Sequence, residues 1–466
     1  MATLRFILFS LLLIKVQCIT LNDKDKNMIN RLAEYVNSED CDDVVNTKTT
    51  ETTGISFDCK VFSSQETLTS VHQLTAADIK VVAAIGDSMT AANGAGSDSI
   101  TDTLTEYREL SFSAGGQGSL ESMVTLPNIL KKYNPSLKGF STTGSIGFNV
   151  AESGATTDEL TCQVGELIDM MKADSSIDYE NDWKVVTIFI GTNDLCHYCL
   201  NEEDSSPANY ISSMYEGLEL LKDEMPRTFV NIVSPTNVYD LSTMASQNSV
   251  CTTVYMKSCP CVAAGGAILD KVNEAALKYQ GLLSDMIATG RYEKDDFAVV
   301  LQPFLQKASM PMNKDGTVDM SLMAADCIHL SQKGQAMYGL ALWQSMFQST
   351  SAKATNLQSA LRLVSYNSLD GQELACPSEQ QFFATNTNSE SMSANAVNTN
   401  AVDTDSSSSS STSVIVAVSL VGGCVCLVAV VFGVMVFRRV RKRQGYSEPD
   451  GHPMSSTGGY SYTKFS

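Results

Sequence analysis

Three short polar blocks carry the residue types that could do chemistry. Gly86-Asp87-Ser88-Met89-Thr90 places a serine hydroxyl directly after the apolar run Val81-Val82-Ala83-Ala84-Ile85. Gly191-Thr192-Asn193-Asp194 follows a second apolar run, Val185 to Ile190, and offers an amide and a carboxylate. Asp326-Cys327-Ile328-His329 sets an imidazole three residues after a carboxylate, just before a helical stretch. Alone, each block is weak, because small polar residues after a strand often make only a turn. As a set they hold a hydroxyl, a base with its own carboxylate, and amide donors, which are the parts of nucleophilic acyl chemistry.

The histidine inventory narrows the choice of base. The chain has four histidines. His72 precedes the first apolar run and His452 lies near the C-terminus, so His197 and His329 compete. His329 is favoured by Asp326, three residues before it, which can orient its ring. A metallohydrolase is disfavoured, since there is no His-Glu-x-x-His or other histidine cluster. Cys196-His197-Tyr198-Cys199 lacks a second Cys/His pair at zinc spacing and is expected to hold structural disulfides. Asp87 and Asp194 are expected to bond backbone around their loops. No metal or cofactor is expected.

The elements that must position these blocks alternate in type. Short β-rich runs stand at 81–85, 185–190, 229–233 and 297–301. Helical periodicity lies between them: Leu160, Val164, Leu167, Ile168 and Met171 form one apolar face. Further helices are predicted near 209–224, 267–288 and 332–347. Alternation of this kind implies an α/β fold, a mostly parallel sheet covered on both faces. Sites in open α/β sheets form at the carboxyl ends of strands, where the Ser88 and Asn193 blocks fall. The Gly-, Ser- and Thr-rich segment 91–118 reads either as a surface loop or as a lid or acyl-chain wall. Asp98, Asp102 and Glu106 in it are expected to form a solvated face.

In order and in placement these blocks, with Gly154 in Asn149-Val150-Ala151-Glu152-Ser153-Gly154-Ala155, resemble the SGNH (GDSL-type) hydrolase family. Met89 stands where the name-giving motif has Leu, a swap that keeps apolar bulk. Asp78 to Ser88, Thr125-Leu126-Pro127-Asn128-Ile129-Leu130, Asp182-Trp183-Lys184, Gly191 to Cys196, Cys259-Pro260-Cys261 and Gln302-Pro303-Phe304 are similar to the phospholipase B branch. The similarity covers about 71–376. It implies a three-layer α/β/α, flavodoxin-like fold. It also implies Ser88 as nucleophile, His329 as base and Asp326 as its orienter. The oxyanion donors it implies are the Ser88 and Gly154 N–H groups and the Asn193 side chain. The implied substrates are phospholipids and lysophospholipids. A carbohydrate O-acetyl esterase, and a silent adhesion or receptor ectodomain, stay open as alternatives.

The ends of the chain read as membrane topology. Arg5 and the apolar run 6–14 form a signal peptide, residues 1–18, too short to span a bilayer. Residues 414–437 hold no charge and are long enough to cross as a single transmembrane helix. Arg438 to Arg443 follow, which places the tail, 438–466, in the cytoplasm. Between lie an N-terminal cap or pro-segment, 19–70, the hydrolase domain, 71–376, and a Ser/Thr/Asn-rich stalk, 377–413. The expected protein is single-pass type I at the plasma membrane, with its catalytic domain extracellular. A net charge of −20 speaks against nucleic acid as a partner. Thirteen cysteines fit an oxidising compartment, with pairings the sequence leaves open.

Overall fold

The computed structural model describes residues 53–64, 67–307, 318–361 and 374–389. The strands are β1 (Ile79–Gly86), β2 (Trp183–Phe189), β3 (Thr228–Val233) and β4 (Phe297–Gln302). The helices used below are α1 (Ser88–Ala91), α2 (Leu126–Tyr133), α3 (Leu160–Ala173), α4 (Thr192–His197), α5 (Pro207–Glu224), α6 (Val238–Ala245), α7 (Ser249–Ser258), α8 (Pro260–Ala263), α9 (Gly266–Ala288) and α10 (Gln332–Met346). The strands pair in the order β1-β2-β3-β4, all parallel, with Val82 opposite Val185, Val185 opposite Phe229 and Phe229 opposite Ala298.

Every residue of β2 and β3 is buried, as parallel strands covered by helices must be. Helices α3, α5 and α9 pack in succession as one layer, and α2 packs against α10 in the other. This is the three-layer α/β/α arrangement expected. Lys184, inside β2, is fully buried. Its ammonium donates to the carbonyls of Tyr179, Asp182 and Pro226, so the chain ends below the sheet supply the oxygens that burial would otherwise deny it.

Element boundaries fall within two residues of the sequence reading, most of them outwards, while β2 and α10 end one residue earlier. Helix α5 begins at Pro207, with the Ser206 hydroxyl accepting from the Asn209 N–H, because proline at the first helical position has no donor to lose. A ribbon along the free edge of β1 was not foreseen. Val82 N–H donates to Lys138 O, Ala84 N–H to Phe148 O, and Val150 N–H to Ala84 O. These bonds lay residues 138–150 beside β1 and deliver Gly154 to its carboxyl end.

Packing also runs past the domain boundary expected at Cys376. Phe383 is fully buried against Phe229, Trp343 and Phe347, and its N–H donates to Leu74 O. Thr385, Asn388 and Ser389 are buried as well, whereas Ser378, Glu379, Gln380 and Thr387 are exposed. On the other side of the boundary at 70, Ile55, Phe62 and Leu68 are buried, and Cys59 is bonded to Cys376. Among the described residues no helix is long and apolar enough to cross a membrane. The expected signal peptide at 1–18, span at 414–437 and tail at 438–466 lie outside the described residues.

Candidate active site

The serine block owes its shape to the end of β1. A Cβ on Gly86 would stand 2.4 Å from Phe189 O, so only glycine lets the ends of β1 and β2 close together. Asp87 then caps α1. Its Oδ1 accepts from Met89 N–H at 2.9 Å and its carbonyl from Thr90 and Ala91 N–H. None of these bonds uses the N–H of Ser88, which opens the helix. Gln163, from α3, holds the turn from below: its Oε1 accepts from Gly86 N–H and its Nε2 donates to Gly86 O, both at 2.9 Å. Gln335, from α10, donates to Met89 O at 3.0 Å.

Residues Glu152 to Ala155 form a tight turn, closed by the Ala155 N–H to Glu152 O bond. Gly154 has φ +85°, the conformation that such a third turn position demands of glycine. A Cβ there would meet nothing within 4 Å, so backbone conformation and not crowding by protein selects glycine. The turn's own hydrogen bond leaves the Gly154 N–H unused. Asn193, in α4, donates one amide hydrogen to Ala155 O at 2.9 Å, which leaves its second donor. Asp194 sits behind it, fully engaged by the Thr157 N–H and hydroxyl.

The Asp326 loop carries its own geometry. Asp326 Oδ1 accepts from the N–H groups of Ile328 and His329, both at 3.0 Å, and Oδ2 lies 2.6 Å from His329 Nδ1. The loop is tied to α7 by the Cys251–Cys327 disulfide and by the Tyr255 hydroxyl, which donates to Cys327 O. Cys327 adopts φ +62°, a strained conformation for a side chain with a Cβ, and this covalent anchor holds it there.

Ser88, Gly154, Asn193 and His329 line one cavity. Its remaining wall is largely apolar, with Leu104, Leu241, Met244, Leu305, Leu322 and Leu357 among the contributors. Electrostatics inside it are uneven. Burial would raise Asp326, but the His329 charge and hydrogen bond and the two N–H donors hold it below its ordinary value. Burial would lower His329, yet Asp326 and then Asp87 outweigh it and raise the imidazole. Burial pushes Asp87 up to about 7, against the Met89 N–H and His329. Asp194 rises to about 6 for the same reason, against its Thr157 bonds.

Ser88, Gly154, Asn193 and His329 thus share one cavity, and Asp326 bonds His329. His197 also lines the cavity, with Nδ1 at 3.0 Å from Asn193 O. Asp87 and Asp194 bond backbone, as expected. Cys196 pairs with Cys259 and Cys199 with Cys261, so the Cys-x-x-Cys segment is stapled to α8. Of the solvated face expected at Asp98, Asp102 and Glu106, Asp98 and Glu106 are exposed and Asp102 is half-buried. Asp102 accepts from Tyr107 and Thr105 hydroxyls, and Glu106 is paired with Arg108. The 91–118 segment is not a loose loop: Phe112 and Ala114 are fully buried, and Asn93 and Leu104 face the cavity. Gln163 was missed, although it falls on the apolar stripe of α3, where a polar residue needs a buried partner.

Residues 82–342 match the family model for GDSL-like lipase/acylhydrolase. The chain belongs to that family. Among curated relatives it is 38% identical over 333 residues to mouse membrane-associated phospholipase B1 and 40% identical over 315 residues to the human protein. These matches cover 68% and 66% of this chain but 22% and 21% of the relatives, so the chain spans about a fifth of their length. A lipase from Streptomyces rimosus, among solved structures, is matched at TM-score 0.26 and 17% identity over 55% of this chain and 94% of that one. A likeness so weak carries no weight beside the GDSL family match.

Proposed function

We propose that this GDSL-family chain is a serine esterase that cleaves acyl esters of phospholipids and lysophospholipids without a metal ion. Ser88 Oγ attacks the ester carbonyl carbon and passes its proton to His329 Nε2. Asp326 holds the resulting imidazolium at Nδ1. The N–H groups of Ser88 and Gly154 and the free donor of Asn193 receive the oxyanion. His329 then protonates the leaving alcohol, a lysophospholipid or a glycerophosphodiester, and the acyl group stays on Ser88. Water, deprotonated by the same imidazole, releases the fatty acid. The observation that carries this reading is the 2.6 Å Asp326–His329 pair, in one apolar-walled cavity with Ser88. We also assign the chain a type I anchor at 414–437, a leader at 1–18 and an extracellular catalytic domain, on the sequence pattern of those segments.

The test is fatty-acid release from phosphatidylcholine and lysophosphatidylcholine by the full-length protein, with EDTA present. Release is expected from wild type and not from Ser88→Ala. Release that stops with EDTA would refute metal independence. Silence on both lipids, with phosphonate labelling of Ser88 intact, would move the substrate towards acetyl esters.

A further inference from the structure

Arg108 touches none of the groups proposed to react, yet only 14% of its side chain is exposed. Its Nη1 donates to Asn149 O at 2.8 Å, while Nε and Nη2 reach Glu106 Oε2 at 2.9 and 2.7 Å. Each contact leads to a different oxyanion donor. On one side, Asn149 Nδ2 donates to Thr90 O at 3.0 Å, inside the turn that carries Ser88. On the other, Glu106 Oε1 lies 3.0 Å from the hydroxyl of Ser153, the residue before Gly154. The Ser153 hydroxyl also lies 2.9 Å from Asn93 Oδ1, and the Asn93 N–H donates to Ser88 O at 3.0 Å. A circuit of side-chain and backbone contacts thus connects the two loops, with the single proton of the Ser153 hydroxyl going to Glu106 Oε1 or Asn93 Oδ1 at a time, and the guanidinium is the cation in it.

A guanidinium suits this post, since its planar fork can hold a carboxylate and a carbonyl at once in fixed directions. An ammonium on its flexible stem can neutralise Glu106 but does not hold a carboxylate and a carbonyl in the same fixed directions. An oxyanion hole works only when its donors sit about 2.7–3.1 Å from the developing charge, so small shifts between the loops are costly. The Glu152 N–H to Gly86 O bond next to the strand end also ties the two loops, and Asn149 to Thr90 and Ser153 to Asn93 tie them directly. The Arg108 circuit is the side-chain brace on the solvent side.

We propose that Arg108 and Glu106 are positioning residues that fix the spacing of the Ser88 and Gly154 N–H groups. This rests on the serine-esterase reading above. The test uses full-length Arg108→Lys, Arg108→Gln, Glu106→Gln and Ser88→Ala, with p-nitrophenyl butyrate as substrate and a trifluoromethyl ketone as a reversible oxyanion-forming inhibitor. Active sites are counted by phosphonate titration, so that lost folding is not read as lost turnover. In Arg108→Gln, kcat should fall on the order of 10-fold to 10²-fold with KM nearly constant. The inhibitor Ki should rise by the same factor as kcat/KM falls. Arg108→Lys, which keeps the charge but loses the fork, should recover only part of this, and Glu106→Gln should fall between. Unchanged kcat and Ki, a loss in KM alone, or full recovery in Arg108→Lys would each overturn the proposal. Should Arg108→Gln not fold, the other two variants carry the same comparison. An active Ser88→Ala would overturn the esterase reading itself, whereas an inactive Ser88→Ala with wild-type Arg108 variants would overturn only this inference.

Discussion

His329 must be neutral to take a proton from Ser88, so its protonation sets the acid limb of the proposed activity. Asp326 and Asp87 raise the imidazole above its ordinary 6.5 despite burial. The kcat/KM profile on a soluble ester should therefore rise with pH through a midpoint above 6.5, and Asp87→Asn should move that midpoint down. A midpoint at or below 6.5 would contradict the assignment. Asp87 also makes a stability prediction. Its folded value of about 7 lies above the ordinary 3.8, so the folded state keeps a proton that the unfolded chain releases. The stability from this group is complete below 3.8 and is lost as pH rises through about 7. Asn cannot titrate and still caps α1. Urea midpoints should therefore show Asp87→Asn gaining on wild type from about pH 4 to pH 7 and holding level above. A pH-independent difference would mean that the carboxyl is ionised in the fold throughout.

Among the elements, the Asp326 loop and α7 form one covalent unit through Cys251–Cys327. Replacing both cysteines with serine should lower unfolding free energy by about 2–4 kcal/mol and cut kcat, because the loop that aims His329 loses its anchor. Chemical denaturation paired with turnover would check this, and an unaffected kcat would show that Asp326 alone fixes the ring. Gln163→Leu should be costlier than a surface change, about 1–3 kcal/mol for the Gly86 N–H left unpaired, while Gly86 O still accepts from the Glu152 N–H. Circular dichroism melts would read it. The strands and major helices were legible in the sequence because β-branched runs and a 3.6-residue apolar repeat are local signals, and Ser88, Asp326 and His329 because their blocks are contiguous. The edge ribbon at 138–150 was not, since it holds β1 through scattered single bonds and has no apolar repeat. Nor were Arg108 and Glu106, whose partners lie some 40 residues away in sequence. Disulfide pairing stayed open for the same reason: Cys196 and Cys199 reach across to Cys259 and Cys261, not to each other.

At the scale of the whole molecule, a net charge of −20 governs the approach to lipid. Adding phosphatidylserine to phosphatidylcholine vesicles should slow hydrolysis at low salt, and raising ionic strength should erase the difference. A rate that climbs with anionic lipid would point to a basic docking face that the charge balance hides. The Cys59–Cys376 bond shapes the molecule differently. It joins residues 317 apart in sequence with their Cα atoms 5.1 Å apart. When the protein is pulled at Cys59 and Cys376, tension passes through that sulfur–sulfur link and bypasses the sheet. The cavity thus sits in a mechanically unloaded loop. In single-molecule stretching the oxidised form should hide the length of those 317 residues, roughly 1,100 Å at about 3.6 Å each, and dithiothreitol should release it. A tug across that bond then leaves the shape of the site unchanged.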